Sequence, residues 1–87
     1  MEKKIIQFVI ERIQVEQEAA ECEKNNNFYG ADVIRERFWW GEEFDNFVNK
    51  SSREVYMAYK NLLDQCMNEA YNGTGFDAVI KKLNGAE

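Results

Sequence analysis

No proline occurs anywhere in this chain of 87 residues. Proline breaks a helix by removing a backbone N–H and by clashing with the preceding turn, so its absence leaves glycine and asparagine as the main punctuation. Between those punctuation marks the apolar residues recur at helical steps. From Lys3 to about Lys24, Ile5, Ile6, Val9, Ile10, Ile13 and Ala20 gather on one broad face. A second, thinner stripe of Phe8, Val15, Ala19 and Cys22 has heptad-like spacing. Gln7, Glu11, Gln14, Glu18 and Glu21 fill the remaining wedge and are expected to face water. Asn25-Asn26-Asn27 ends the helix, because asparagine competes for backbone hydrogen bonds and tolerates left-handed geometry.

Three further helices follow from the same periodicity. A second is expected from Ala31 to about Val48, rich in aromatics, with Gly41 as a point of bending or close approach. Ser51-Ser52-Arg53-Glu54 has the form of a capping box, Ser51 and Glu54 satisfying the first free amides of a third helix. That helix is the cleanest amphipath, with Val55, Tyr59, Leu62, Leu63, Cys66 and Met67 on one face. Gly73 stops it, and a short fourth helix carries Phe76, Val79, Ile80 and Leu83 before Asn84-Gly85. The expectation is a single all-α domain over residues 1–87 with four helices and no strand.

Length suggests an assembly. A helix from Lys3 to Lys24 is ~33 Å long. A round globule of this size is ~30 Å across, from a radius of gyration near ~12 Å. A helix as long as the domain and apolar on two sides is expected to pack against a second copy. Phe8, Val15, Ala19 and Cys22 would form the homodimer interface.

Composition removes several chemistries. The chain has 16 acidic and 11 basic residues, no histidine, and a net charge of −5. Without histidine there is no Ser-His-Asp or Cys-His relay and no imidazole zinc ligand. The charge is lopsided, with 11 acids and 6 bases in residues 1–45 against 5 of each in residues 46–87. Cys22 and Cys66 belong to no CxxC pair and are expected to be reduced and half-buried. Lys3 to Ile10 imitates the start of an export signal, but Glu11-Arg12 interrupts it, and no apolar run approaches membrane-spanning length. A cytoplasmic location is expected.

One pattern has the form of catalytic machinery. Glu18-Ala19-Ala20-Glu21 is ExxE and Glu42-Glu43-Phe44-Asp45 is ExxD. This pairing resembles the MazG-like all-α nucleotide pyrophosphohydrolases, in which such carboxylates hold magnesium. The resemblance implies Glu18, Glu21, Glu42 and Asp45 as magnesium ligands. A second alternative is a helix-turn-helix about Asn49-Lys50, with Lys50, Arg53 and Lys60 near phosphates. An acidic chain disfavours direct nucleic-acid contact.

The aromatic run Phe38-Trp39-Trp40 is the most specific feature. Three consecutive 100° steps cannot all enter one core face. Trp40 fits the apolar stripe with Val33 and Phe47, Phe38 fits its neighbour, and Trp39 is left on the polar side. Trp39, with Phe28 and Tyr29 in the preceding loop, is ringed by Glu36, Glu42, Glu43 and Asp45. An aromatic anchor inside an acidic rim suits the basic surface of another protein. The primary expectation is therefore a non-enzymatic interaction module without a cofactor. One concrete form is a small inhibitor of a nucleic-acid-handling protein, as phages often encode.

Overall fold

A computed structural model describes residues 3–86, which form five α-helices and, among the described residues, no strand. They are α1 (Lys3–Lys24), α2 (Phe28–Trp39), α3 (Glu42–Lys50), α4 (Arg53–Asn72) and α5 (Phe76–Ala86). The all-α class is as expected; the count of four is not. The single helix expected over residues 31–48 is two, broken at Trp40-Gly41. The Gly41 N–H still donates to the Phe38 carbonyl, and Gly41 then takes the extended conformation of an N-cap. No side chain caps α3 there. Glu42, Glu43 and Asp45 instead crowd its first turn, where carboxylates complement the positive helix terminus.

The next boundary shifts by one residue. Ser51 closes α3, donating its N–H to the Phe47 carbonyl at 3.1 Å. Ser52 opens α4, its hydroxyl accepting from the Val55 amide at 3.2 Å. Two serines in sequence thus serve two helices, and the expected capping box is not formed: with Ser52 as N-cap the third helical residue is Val55, so Ser52 alone caps α4 and Glu54 contributes only its charge in the first turn. Beyond α4, Gly75 takes a φ of 97°, a left-handed turn that aims α5 back onto α1.

Every other layer rests on α1. α2 lies along one side of it, α4 and α5 along the other. The broad face of α1, with Ile5, Ile6, Val9, Ile10 and Ile13, packs with Tyr59 and Leu63 of α4 and Val79 and Leu83 of α5. Two residues of the thin stripe, Phe8 and Ala19, are also covered, and by the chain itself. Phe8 is buried against Phe44 and Phe47 of α3, at ring separations of 5.7 and 4.8 Å. Ala19 is fully buried on the α2 side of α1, as is Ala31 of α2. Val15 and Cys22 are half-buried.

The long helix also fits one chain. Its globule is a slab of 38 × 28 × 16 Å rather than a sphere, long enough in one dimension to hold the ~33 Å of α1. The helix length and the Phe8 and Ala19 part of the second apolar stripe are thus accommodated within the protomer. Sedimentation equilibrium at micromolar concentration is expected to return 10.3 kDa; a mass near twice that would show that the stripe is shared between copies. Phe8→Ala is expected to cost about 3–5 kcal/mol in denaturant titration, as for a buried aromatic. A loss below about 1 kcal/mol would show that Phe8 lies outside the core.

Candidate functional site

The α2 helix begins earlier than its apolar pattern suggests. Asn26 takes a left-handed φ of 64°, and the Asn27 side chain then accepts from the Gly30 amide at 3.0 Å. This cap makes Phe28 and Tyr29 the first helical residues rather than loop residues. Ala31, Ile34 and Phe38 turn toward the protein, and Tyr29 and Glu36 lie on the outermost line. At ~100° per residue, Phe28, Asp32, Arg35 and Trp39 share a flank.

The aromatic run divides differently from its expected division. Phe38 is half-buried, its ring 4.5 Å from Phe44. Trp39 is 49% exposed, one face covered by the Arg12 guanidinium 5.6 Å from a ring centroid. Trp40, expected in the core, is 83% exposed. The physical reason is the helix end. Trp40 is the C-cap of α2, and the turn into Gly41 takes it off the helical arc that aligned it with Val33 and Phe47. Phe28 and Tyr29 are exposed as well, at 59% and 81%. α2 and its C-cap thus present four large aromatic side chains to solvent. Glu36, Glu42, Glu43 and Asp45 are all exposed too.

Under the α2 flank lies a polar cluster. Glu16 is buried at 6% exposure in the middle of α1. Arg35 of α2 donates to it twice, from Nε at 3.0 Å and Nη2 at 2.7 Å, and Arg12 donates at 3.0 Å. The Tyr71 hydroxyl of α4 donates to its second oxygen. Arg35 also reaches Glu23 through both terminal nitrogens, at 3.2 and 2.9 Å. Burial pushes the Glu16 carboxyl up, but the hydrogen bonds from Arg35, Tyr71 and Arg12, with the Arg12 charge, outweigh it and hold it at about 2. Burial and the bond to Glu16 push the Tyr71 phenol up to about 12. Phe76 packs edge-on against Tyr71 at 5.1 Å and helps fix it.

This cluster is structural in its chemistry. The guanidiniums and the phenol consume the carboxylate's lone pairs, leaving no free base or nucleophile. Glu16 and Glu23 are engaged within the chain, so the excess of acids in the first half is not all free to meet a partner. A signal for it exists in the sequence. Glu16 falls three residues after Ile13 and seven after Val9, on the apolar arc.

The alternative chemistries are not assembled. Glu18 and Glu21 are exposed on the outer wedge of α1, and Glu42 and Asp45 are exposed on α3. Among the described residues no three acidic or thiol side chains converge as a metal site, so the two doublets do not form the magnesium cradle their spacing implies. The helix-turn-helix outline exists as α3, Ser51-Ser52 and α4. Past Arg53, however, the exposed face of α4 shows Glu54, Met57, Asn61, Asp64 and Asn68, and its one lysine, Lys60, is half-buried, so the bases do not gather into a phosphate-facing row. Cys22 and Cys66 are unbridged and half-buried, and burial pushes the Cys66 thiol up. No helix of the described residues is long and apolar enough to cross a membrane. Neither a protein-family model, nor a curated protein, nor a solved structure matches this chain.

The depressed Glu16 carboxyl has a pH consequence. A group whose folded pKa lies below its unfolded value stabilises the fold above the unfolded value and loses that contribution as pH falls through the folded one. For Glu16 the window runs from near 4.5 down to about 2. Glu16→Gln is expected to cost on the order of 3 kcal/mol near neutral pH, with the deficit shrinking across that window. Denaturant titrations of both forms at several pH values measure it. A deficit constant from pH 7 to 3 would show that the Glu16 charge does not hold the cluster.

Proposed function

We propose that this protein is a protein–protein interaction module that docks on a basic surface of a larger, nucleic-acid-handling protein. The observation that carries the reading is the exposed aromatic group of α2 and its C-cap: Phe28, Tyr29, Trp39 and Trp40. None of the four belongs to the core cluster; Phe28 and Tyr29 stand at the first turn of α2 and Trp39 and Trp40 at its last, ~16 Å apart along the axis, and large apolar side chains held in water mark interaction surfaces. Tryptophan and tyrosine are also the side chains most often found to dominate binding energy.

The charge distribution supports the basic character of the partner. The cluster of Glu16, Glu23, Arg12 and Arg35 is neutral, with two charges of each sign, so the net −5 lies outside it. Glu18, Glu21, Glu36, Glu42, Glu43 and Asp45 remain on the outer surface. Their field would speed encounter with a positive surface, and the aromatics would hold the complex. Occupying the groove that such a partner uses for nucleic acid would make the protein an inhibitor of the kind phages use. A homodimer is not required for this action, because the four exposed aromatics all lie on one chain.

The test uses the immobilised protein and a lysate of its source organism. A specific partner is expected to bind at low salt and to elute as ionic strength rises, since exposed charges are screened. Trp40→Ala is expected to leave the melting temperature within about 2 °C, because the side chain is outside the core. The same change should weaken capture at least ~30-fold, the loss of a hot spot of about 2 kcal/mol. Capture indifferent to Trp40→Ala and Trp39→Ala, or the absence of any salt-sensitive partner, would overturn the proposal.

A further inference from the structure

The side of α1 that faces neither α4 nor α5 carries a second feature. Three depressions of about 390, 310 and 310 Å³ adjoin one another there. The first and second share Glu11, Arg37 and Phe38; the second and third share Phe8 and Glu43. Together they form one open trough along α1 from Glu18 to Lys4, walled by α2 and α3. That stretch of α1 is ~21 Å long, which equals about four turns of a helix lying beside it.

The trough has an apolar floor and an acidic edge. Val15, Ile34, Phe38 and Phe44 are half-buried along it, with Phe8 buried beneath. Glu11 and Glu18 stand seven residues apart on α1, ~10.5 Å along its axis. Glu42 and Glu43 line the α3 wall. Among the described residues none of these four carboxylates forms an ion pair, unlike Glu16 and Glu23. The lining bases are Arg37 and Lys4, so the edge is net negative.

We infer that this trough seats a basic amphipathic α-helix of the partner protein. The inference rests on the proposed interaction function and names the element of the partner that is recognised. A helix of about four turns sets apolar residues at i, i+3 or i+4, and i+7 against Val15, Ile34 and Phe38. Lysines or arginines seven residues apart on its flank match the Glu11 to Glu18 spacing. Arg37, between them, takes one acidic side chain and so fixes the direction and register of the helix. Charge decides against a second copy as occupant, because each chain carries −5. The groove between α1, α4 and α5, of about 460 Å³ with Ile6, Cys66, Val79 and Leu83 among its lining, has Lys82 and Glu69 of opposite sign at its edge and no comparable bias.

The probe is a synthetic amphipathic Leu/Lys peptide of about 15 residues, with a scrambled peptide of the same composition as control. It is titrated into the isotopically labelled full chain and followed by nuclear magnetic resonance. The expected result is shifts centred on Val15, Ile34 and Phe38, with the scrambled peptide at least ~10-fold weaker. The double change Glu11→Lys with Glu42→Lys is expected to weaken binding more than ~10-fold, and the sum of charge effects is separated by Asp64→Lys, on the exposed face of α4, which should change it less than ~2-fold. Circular dichroism confirms that each variant keeps its fold.

No binding, equal affinity for the scrambled peptide, shifts centred on Ile6, Cys66 and Leu83, or equal loss with Asp64→Lys would each overturn the inference. A doubled mass in sedimentation that is abolished by Glu11→Lys with Glu42→Lys would do so too, by placing a second copy in the trough. Lysate capture separates the two levels. Capture that depends on Trp40 but ignores the double charge reversal removes the trough and keeps the interaction module; capture that depends on neither removes both.

Discussion

The carboxylate of Glu16 is the point through which the two sides of the slab are joined. α2 and α4 each pack on α1 and have little direct contact with one another. Arg35 from α2 and Tyr71 from α4 meet on the Glu16 oxygens instead. A carboxylate taken out of water is unfavourable by several kcal/mol unless its lone pairs are filled and its charge opposed. That condition is what fixes the rotation of α2: only when its Arg35 flank turns toward α1 is the condition met. The same rotation sets the Ala31 line against α1 and carries Trp39 to Arg12, which itself bonds Glu16. The exposed aromatics are therefore placed by an interaction at the centre of the fold.

Much of this architecture was legible in the chain, and the reasons are particular. α1 could be bounded at Lys3 and Lys24 because its apolar residues keep one period throughout and three asparagines follow. Its water-facing wedge was legible for the same reason, and Glu18 and Glu21 are where that period puts them. The break at Trp40-Gly41 was not. Val33, Trp40 and Phe47 keep a perfect seven-residue spacing across it, so periodicity argues for continuity where the backbone turns. Glu16 was obscured by chemistry rather than spacing. A single acid on an apolar arc becomes intelligible only once Arg35 and Tyr71, 19 and 55 residues away, are brought to it.

Periodicity also reports how many faces of a helix are apolar without reporting what covers them. The Phe8 to Cys22 stripe of α1 could be satisfied by another copy or by the chain's own later helices. Part of that cover comes from α3, a nine-residue segment with no buried residue of its own. Because α3 is separated from α2 by the Gly41 turn, it folds back far enough for Phe44 and Phe47 to cover Phe8. Had the two segments formed one straight helix, those rings would have travelled away from Phe8. One glycine thereby brings the rings of α3 back onto the first turns of α1.

That turn is also where fold and recognition draw on the same residues. Gly41 has no side chain to cap α3, and the acids Glu42, Glu43 and Asp45 take over that role through their charge at the helix start. Clustered carboxylates repel one another, which the helix terminus alone offsets only in part. A cationic partner would supply the rest, so the local need of α3 and the attraction of the surface for positive charge point the same way. The turn that assembles the acids is the one that swings Trp40 into solvent, within one residue of the trough wall at Gly41. An aromatic side chain outside the core and an acidic edge only partly balanced by Arg37 and Lys4 thus meet at a single backbone turn. Their coincidence, more than the amount of either, is the physical argument behind the proposal that this end of the molecule meets another protein.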